Sequence, residues 1–340
     1  LADALLIHAV EIQDERQRSA FIDYCRRWQQ RKYREVVLKD AQGVYPIAMS
    51  EFDRDPFVFN CSNGTLHLGS MEFRDHCSED RLTKISPVKF DPTACCKRFE
   101  EFVGEITSGD AEKAKFLQKA FGYGISGDTR HECLFVLYGS TTRNGKGTLC
   151  ESVLKALGSY GCTARPESIS LKNNINSSNP SEDIARLAGV RFANISEPSR
   201  GLVLNAAQVK SMTGNDSINA RFLHENSFDF APQFKLYINA NYLPVINDMT
   251  LFSSGRVIII PFERHFAESE QDKTLKREFA KPKNQSAILN WLLEGYRLLT
   301  EEGFSQPESV RAATDSYRHD SDKIALFMED TLQADPNGEE

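Results

Sequence analysis

Residues 138–149, YGSTTRNGKGTL, decide how the rest of the chain is read. An apolar run from Cys133 to Tyr138 leads into them, and a helical pattern from Lys146 to Leu157 leads out. A phosphate-binding loop needs this order of strand, glycine turn and helix. Successive backbone N–H groups and the helix N-terminus then point at the phosphates, and the lysine reaches the outer ones. Two details depart from the usual pattern, which sets four residues between its glycines and a Ser or Thr directly after the lysine. Here Gly147 follows Lys146 and the hydroxyl comes one place later, at Thr148. Counted from Gly139, five residues precede Gly145; counted from Ser140 the length is right, but the first glycine is a serine. A working nucleotide site, a decayed one and a look-alike loop all stay open on this stretch alone.

Three further stretches supply what a nucleotide site requires. In VRFANISEPS, Glu197 follows a second apolar run, where an acid can serve the magnesium and the attacking water. In FKLYINANYLP, Asn241 ends a third run and could touch a γ-phosphate or the water, with Asn239 as competitor; Leu243-Pro244 makes a turn residue the alternative reading. In SSGRVIIIPF, Arg256 opens a fourth run, where it could reach a phosphate bound by a neighbouring subunit or make a surface salt bridge. Apolar runs alternating with helical stretches such as LNAAQVKSMTG point to an α/β fold, a parallel sheet with helices on both faces.

Outside this core, residues 3–40 read as helical. DPFVFNCSNGTLHLGS reads as a hairpin turning at Asn63-Gly64, and residues 92–122 read as helical again. The chain becomes helical once more after residue 268, and the tail ADPNGEE is expected to fray. The expected division is an N-terminal module at 1–125, an ATPase core at 126–268 and C-terminal helices at 269–340.

At 40% hydrophobic and 26% charged, the 340 residues suit a folded globular protein with room for two domains. No window approaches the length of a membrane span, so no membrane partner is expected. The first residues lack the pattern of a signal peptide, and they lack a starting Met, so the chain reads as a fragment of something longer. The eight cysteines include no C-x-x-C pair and read as reduced thiols of a cytosolic protein, with zinc ligation by His67, His76, Cys77 and Cys95-Cys96 as the alternative. A net charge of −7 argues weakly against nucleic acid, yet eight Lys/Arg crowd between Arg16 and Lys39 around Trp28 and Tyr33. That segment reads either as a solvated helix face or as a strand-contacting or ring-linking element.

Taken in order, NGKGT, VRFANISE, QVKSMTGNDSINARFLHENSFDFAPQFKLYINANYLP and SSGRVIIIPF resemble the superfamily-3 helicases. In particular they are similar to the phage and plasmid primase–helicase branch related to the poxvirus primase–helicase. DPFVFNCSNGTLHL, GDAEKAKFLQKAFGYGISGDT, ILNWLLEGYRLL and PESVRAATDSYRHDSDKIALFMED extend the resemblance over roughly residues 50–330. It implies an AAA+-type P-loop ATPase core with a mainly helical N-terminal collar module and C-terminal helices. Phosphate loops of that family commonly read Asn-Gly-Lys before either Ser-Thr or Gly-Thr, so Gly147 is a tolerated variant. The extra residue leaves the conformation of Ser140–Arg143 open.

Carried over by the resemblance, Gly139, Asn144, Gly145, Lys146, Gly147 and Thr148 bind ATP. Thr148 and Glu197 serve Mg2+, Glu197 and Asn241 act at the reacting phosphate, and Arg256 is an arginine finger acting in trans. A hairpin within NARFLHENSFDF would project into the channel of a ring, expected to be a hexamer, with Lys210, Arg221 and His224 on DNA. The implied protein is an ATP-dependent replicative DNA helicase of a phage or mobile element. It would work in the cytoplasm of a bacterial host on single-stranded and forked DNA, often with a primase domain upstream. A P-loop small-molecule kinase and a non-catalytic DNA-binding or loader protein are the rival readings.

Overall fold

The computed structural model describes residues 2–44, 46–48, 51–171 and 181–331; the tail expected to fray lies outside them. The chain forms two compact units, which divide between Phe52 and Asp53. Among the described residues the first holds three α-helices, α1 (Ala2–Leu6), α2 (Glu15–Arg27) and α3 (Arg31–Val44). Asp14 caps α2 by accepting from the Gln17 N–H at 2.8 Å. The basic stretch lies on α2 and α3, almost wholly exposed, while Tyr24, Trp28 and Tyr33 pack edge to face along it.

The second unit opens with a small antiparallel sheet of β1 (Val58–Cys61), β2 (Gly64–His67) and β3 (Glu72–Arg74). Cys61 pairs with Gly64, so the turn residues are Ser62 and Asn63, one place earlier than the sequence suggested. The Asn63 side chain fixes that register from outside the hairpin, donating to Phe90 O at 3.0 Å and accepting from Phe90 N at 2.8 Å. Helices α4 (Lys97–Ile106) and α5 (Ala111–Tyr123) follow.

The chain then alternates: β4 (Leu134–Tyr138), α6 (Lys146–Leu157), β5 (Gly161–Ala164), α7 (Glu182–Ala185), β6 (Phe192–Ser196) and α8 (Ala206–Thr213). A hairpin of β7 (Ile218–Ala220) and β8 (Phe228–Phe230) precedes β9 (Lys235–Ala240), α9 (Thr250–Ser253) and β10 (Val257–Pro261). Four helices close the described chain: α10 (Leu275–Phe279), α11 (Pro282–Glu302), α12 (Glu308–Ser321) and α13 (Lys323–Thr331).

Five strands form one parallel sheet in the order β10-β4-β9-β6-β5. The continuous apolar runs of the sequence are strands buried on both faces. Phe135, Leu137, Phe192, Tyr237, Ile258 and Ile260 face one core with α5, α6 and α11; Leu134, Val136, Ile195, Leu236, Ile238 and Ile259 face the other with α8 and α12. The edge strand β5 reads Gly-Cys-Thr-Ala, too short and too polar to announce itself in the sequence. The boundary expected near residue 125 falls inside this unit, where one core joins Phe59 and Phe116 to Phe135 and Leu289. Two buried cations stitch that join. Arg191 donates to Ile125 O at 2.9 Å and Val58 O at 2.8 Å and stacks on Tyr160; Lys235 donates to the carbonyls of Ser126, Asp128 and Gln233.

Candidate nucleotide site

Because β4, β9 and β6 are parallel neighbours, the loops that leave their carboxyl ends emerge side by side, about 4.8 Å apart per strand. From β4 comes the glycine loop, from β9 Asn241, and from β6 Glu197. The Lys146 ammonium donates to Asn241 Oδ1 at 2.9 Å and to Gly139 O at 3.4 Å. The structure therefore brings Asn241, rather than Asn239, against the lysine. The Asn239 carbonyl instead accepts from the Glu197 N–H at 3.0 Å. That bond fixes the exposed Glu197 in the left-handed region, at φ 51°.

Lys146 is only 3% exposed, and burial pushes its pKa down to about 8. Among the described residues both of its hydrogen-bond partners are neutral oxygens, so no acid answers its charge through these bonds. A half-buried Thr148 sits in the first turn of α6, at the positive end of the helix.

The glycines differ in what they do. Gly145 has φ +84°, and a Cβ there would lie 2.3 Å from Ile106 Cγ2. Gly147 has nothing within 4 Å of a Cβ, so its departure from the pattern meets no steric constraint. The buried Asn144 closes the loop by donating to Thr141 O at 2.7 Å. The extra residue is absorbed by the segment after β10, for which the sequence carried no signal. Phe266 N donates to Arg143 O at 2.9 Å, His265 Nδ1 donates to Thr142 O at 2.8 Å, and the Arg143 guanidinium donates to Gln271. A cleft of about 350 Å³ opens beside the loop, between Phe102 of α4, Gly145 and Thr148, and Phe266, Gln271 and Leu275.

The remaining expected residues lie elsewhere. Arg256 sits at the amino end of β10, the opposite edge of the sheet, where its carbonyl accepts from Leu134 N at 2.7 Å. Its guanidinium is ion-paired with Glu132 at 2.5 Å and donates to Thr213 Oγ1 at 2.8 Å. The salt-bridge reading is thus realised within the chain, and the residue cannot serve the loop of its own subunit. Lys210 on α8 is held by Asp248 at 3.1 Å and by Thr250 at 2.5 Å. Arg221 and His224 lie on the tip that joins β7 to β8, with His224 exposed at φ 63°. The eight cysteines are free thiols, and among the described residues no group of three His, Cys, Asp or Glu could hold a metal ion.

Fold and loop together define a P-loop α/β protein. A family model described as "D5 N terminal like" matches residues 1–108. "Putative helicase L207/L206" of Acanthamoeba polyphaga mimivirus is 27% identical over 324 residues, covering 88% of this chain and 33% of that protein. "Putative helicase 022R" of Frog virus 3 (isolate Goorha) is 29% identical over 253 residues, covering 69% of this chain and 26% of that protein. The apo structure of the NrS-1 C terminal region (305–718) shares the fold, with a TM-score of 0.51 at 13% identity, over 74% of this chain and 62% of that one. On these likenesses the chain is similar to viral proteins named putative helicases. It spans between a quarter and a third of the length of those two relatives.

Proposed function

We propose that the chain is the motor part of an ATP-dependent replicative DNA helicase of the superfamily-3, AAA+ kind. The observation that carries this is Lys146, a buried ammonium bonded, among the described residues, only to neutral oxygens at the start of α6, with Asn241 and Glu197 on the adjoining strand ends. An anion supplies the charge such a lysine lacks, and the loop N–H groups and helix N-terminus favour phosphate in particular.

The nucleoside would fall in the cleft lined by Phe102 and Phe266. Asn241 would pass from the lysine to the γ-phosphate or the attacking water, and Glu197 would orient that water and take its proton. Thr148 and Glu197 suit Mg2+, a hydroxyl and a carboxylate at one edge of the sheet; the ion when bound neutralises phosphate charge. Arg256, remote from its own loop, fits a finger for a neighbouring subunit's phosphate, which calls for a ring, taken here as six copies. Arg221 and His224 on the hairpin tip would grip the backbone of single-stranded DNA at a fork, a contact that needs no sequence preference. Lys210 could join them only by releasing Asp248. Residues 1–125 would supply the collar, its part after Phe52 sharing one core with the motor of 126–268, and 269–340 the closing helices. The setting would be a phage or mobile element in the cytoplasm of its bacterial host, with a primase domain carried upstream.

The test is ATP turnover with and without single-stranded DNA, for wild type and Lys146→Ala. DNA-stimulated phosphate release that falls by about 100-fold or more in the variant is expected. Turnover near wild type in Lys146→Ala removes the site assignment. Phosphate transfer to a small molecule would indicate a kinase, and binding without turnover a loader.

A further inference from the structure

Helix α8, which leads into the hairpin, is cross-linked twice to the segment that leads into β10. Lys210 holds Asp248 and Thr250, and one turn later the buried Thr213 Oγ1 accepts from Arg256 while donating to Val209 O at 2.8 Å. Arg256 is held in turn by Glu132, whose second oxygen accepts from Asn215 Nδ2 at 3.3 Å. Asn215 Oδ1 accepts from Thr129 at 2.7 Å. Glu132 takes φ 45°, a left-handed conformation that a non-glycine residue holds only when its surroundings impose it. Asn215 belongs to the short link between the end of α8 and the first strand of the hairpin. The proposed finger and the proposed DNA hairpin therefore meet at one carboxylate.

We infer that Glu132 is a positioning residue: it parks Arg256 on the end of α8, in competition with the phosphate of a nucleotide held by a neighbouring copy. The inference rests on the reading of Arg256 as a finger in trans. One guanidinium fork fits one oxyanion at a time, and the Glu132 charge opposes an approaching phosphate. When Arg256 turns to the phosphate, Thr213 loses its donor and Asn215 its fixed partner. The end of α8 and the hairpin base then loosen together. The Lys210–Asp248 bond persists, so α8 pivots instead of detaching. Nucleotide engagement on one subunit is thereby passed to the DNA grip of the next.

The test uses the full chain and reads basal turnover, the ratio of DNA-stimulated to basal turnover, and thermal stability. Glu132→Gln keeps the shape and removes the charge. It should raise basal turnover about two- to five-fold, the scale of a half-exposed ion pair, and lower the stimulation ratio. Arg256→Ala should lower both activities. If Glu132→Gln instead falls alongside Arg256→Ala with an unchanged ratio, the pair is structural and the inference is overturned. If Arg256→Ala turns over like wild type, the finger reading fails first and the inference with it. Thr213→Val, which keeps the ion pair and removes the Arg256 link to α8 together with the hydroxyl's bond to Val209 O within the helix, should leave basal turnover normal and reduce stimulation; a normal ratio in this variant also overturns the relay.

Discussion

At the carboxyl ends of the parallel strands, Lys146 presents its charge to neutral oxygens beside an open cleft; at the amino ends, two cations of the proposed motor are already paired with acids. Arg256 has Glu132 and Lys210 has Asp248. Arg191 and Lys235 are buried at least as deeply as Lys146, yet carbonyls and an aromatic face surround each of them. Burial of a positive group is thus no sign of an anion site by itself. What separates Lys146 is the combination of few neutral acceptors, a helix N-terminus and adjacent space.

This contrast between the two edges can be broken in order of expected effect. Glu197→Gln at the carboxyl edge should stop hydrolysis, by about 100-fold or more, while nucleotide still binds, because the change removes charge and keeps shape. Equilibrium binding beside single-turnover hydrolysis reads this, and loss of binding with normal hydrolysis per bound nucleotide would make Glu197 structural. Within the loop, Gly145→Ala should cost at least about 1–3 kcal/mol of strain, with Ile106 in the way of the new methyl. Gly147→Ser, which restores the usual pattern, should stay within about 0.5 kcal/mol. Thermal unfolding of both variants checks the pair, and equal shifts would mean that the loop is not held by Ile106 at Gly145. Alanine at both Arg221 and His224 should leave basal turnover near normal and reduce DNA stimulation. The salt dependence of single-strand binding should drop by a slope of roughly 0.7 for each phosphate that the protein no longer neutralises. An unchanged slope would move the DNA grip to the basic face of α2 and α3.

The sequence by itself determined the α/β core, since four short apolar runs, bounded by polar or glycine ends and alternating with helical stretches, suit strands buried on both faces, and α6 begins at Lys146 as its pattern required. It also marked Lys146 and Glu197, because their places at element ends are local facts. The strand order was not local. Only the sheet order β10-β4-β9-β6-β5 sets Asn241 between the loop and Glu197, and only there does Lys146 choose it over Asn239. The turn at Ser62-Asn63 was set by a distant backbone, Phe90, and the long loop by His265 and Phe266, residues without a motif. Arg256 shows the limit most clearly: its position before a strand is written in the sequence, but its partner Glu132 lies 124 residues away and comes within reach only because β4 and β10 pair in parallel.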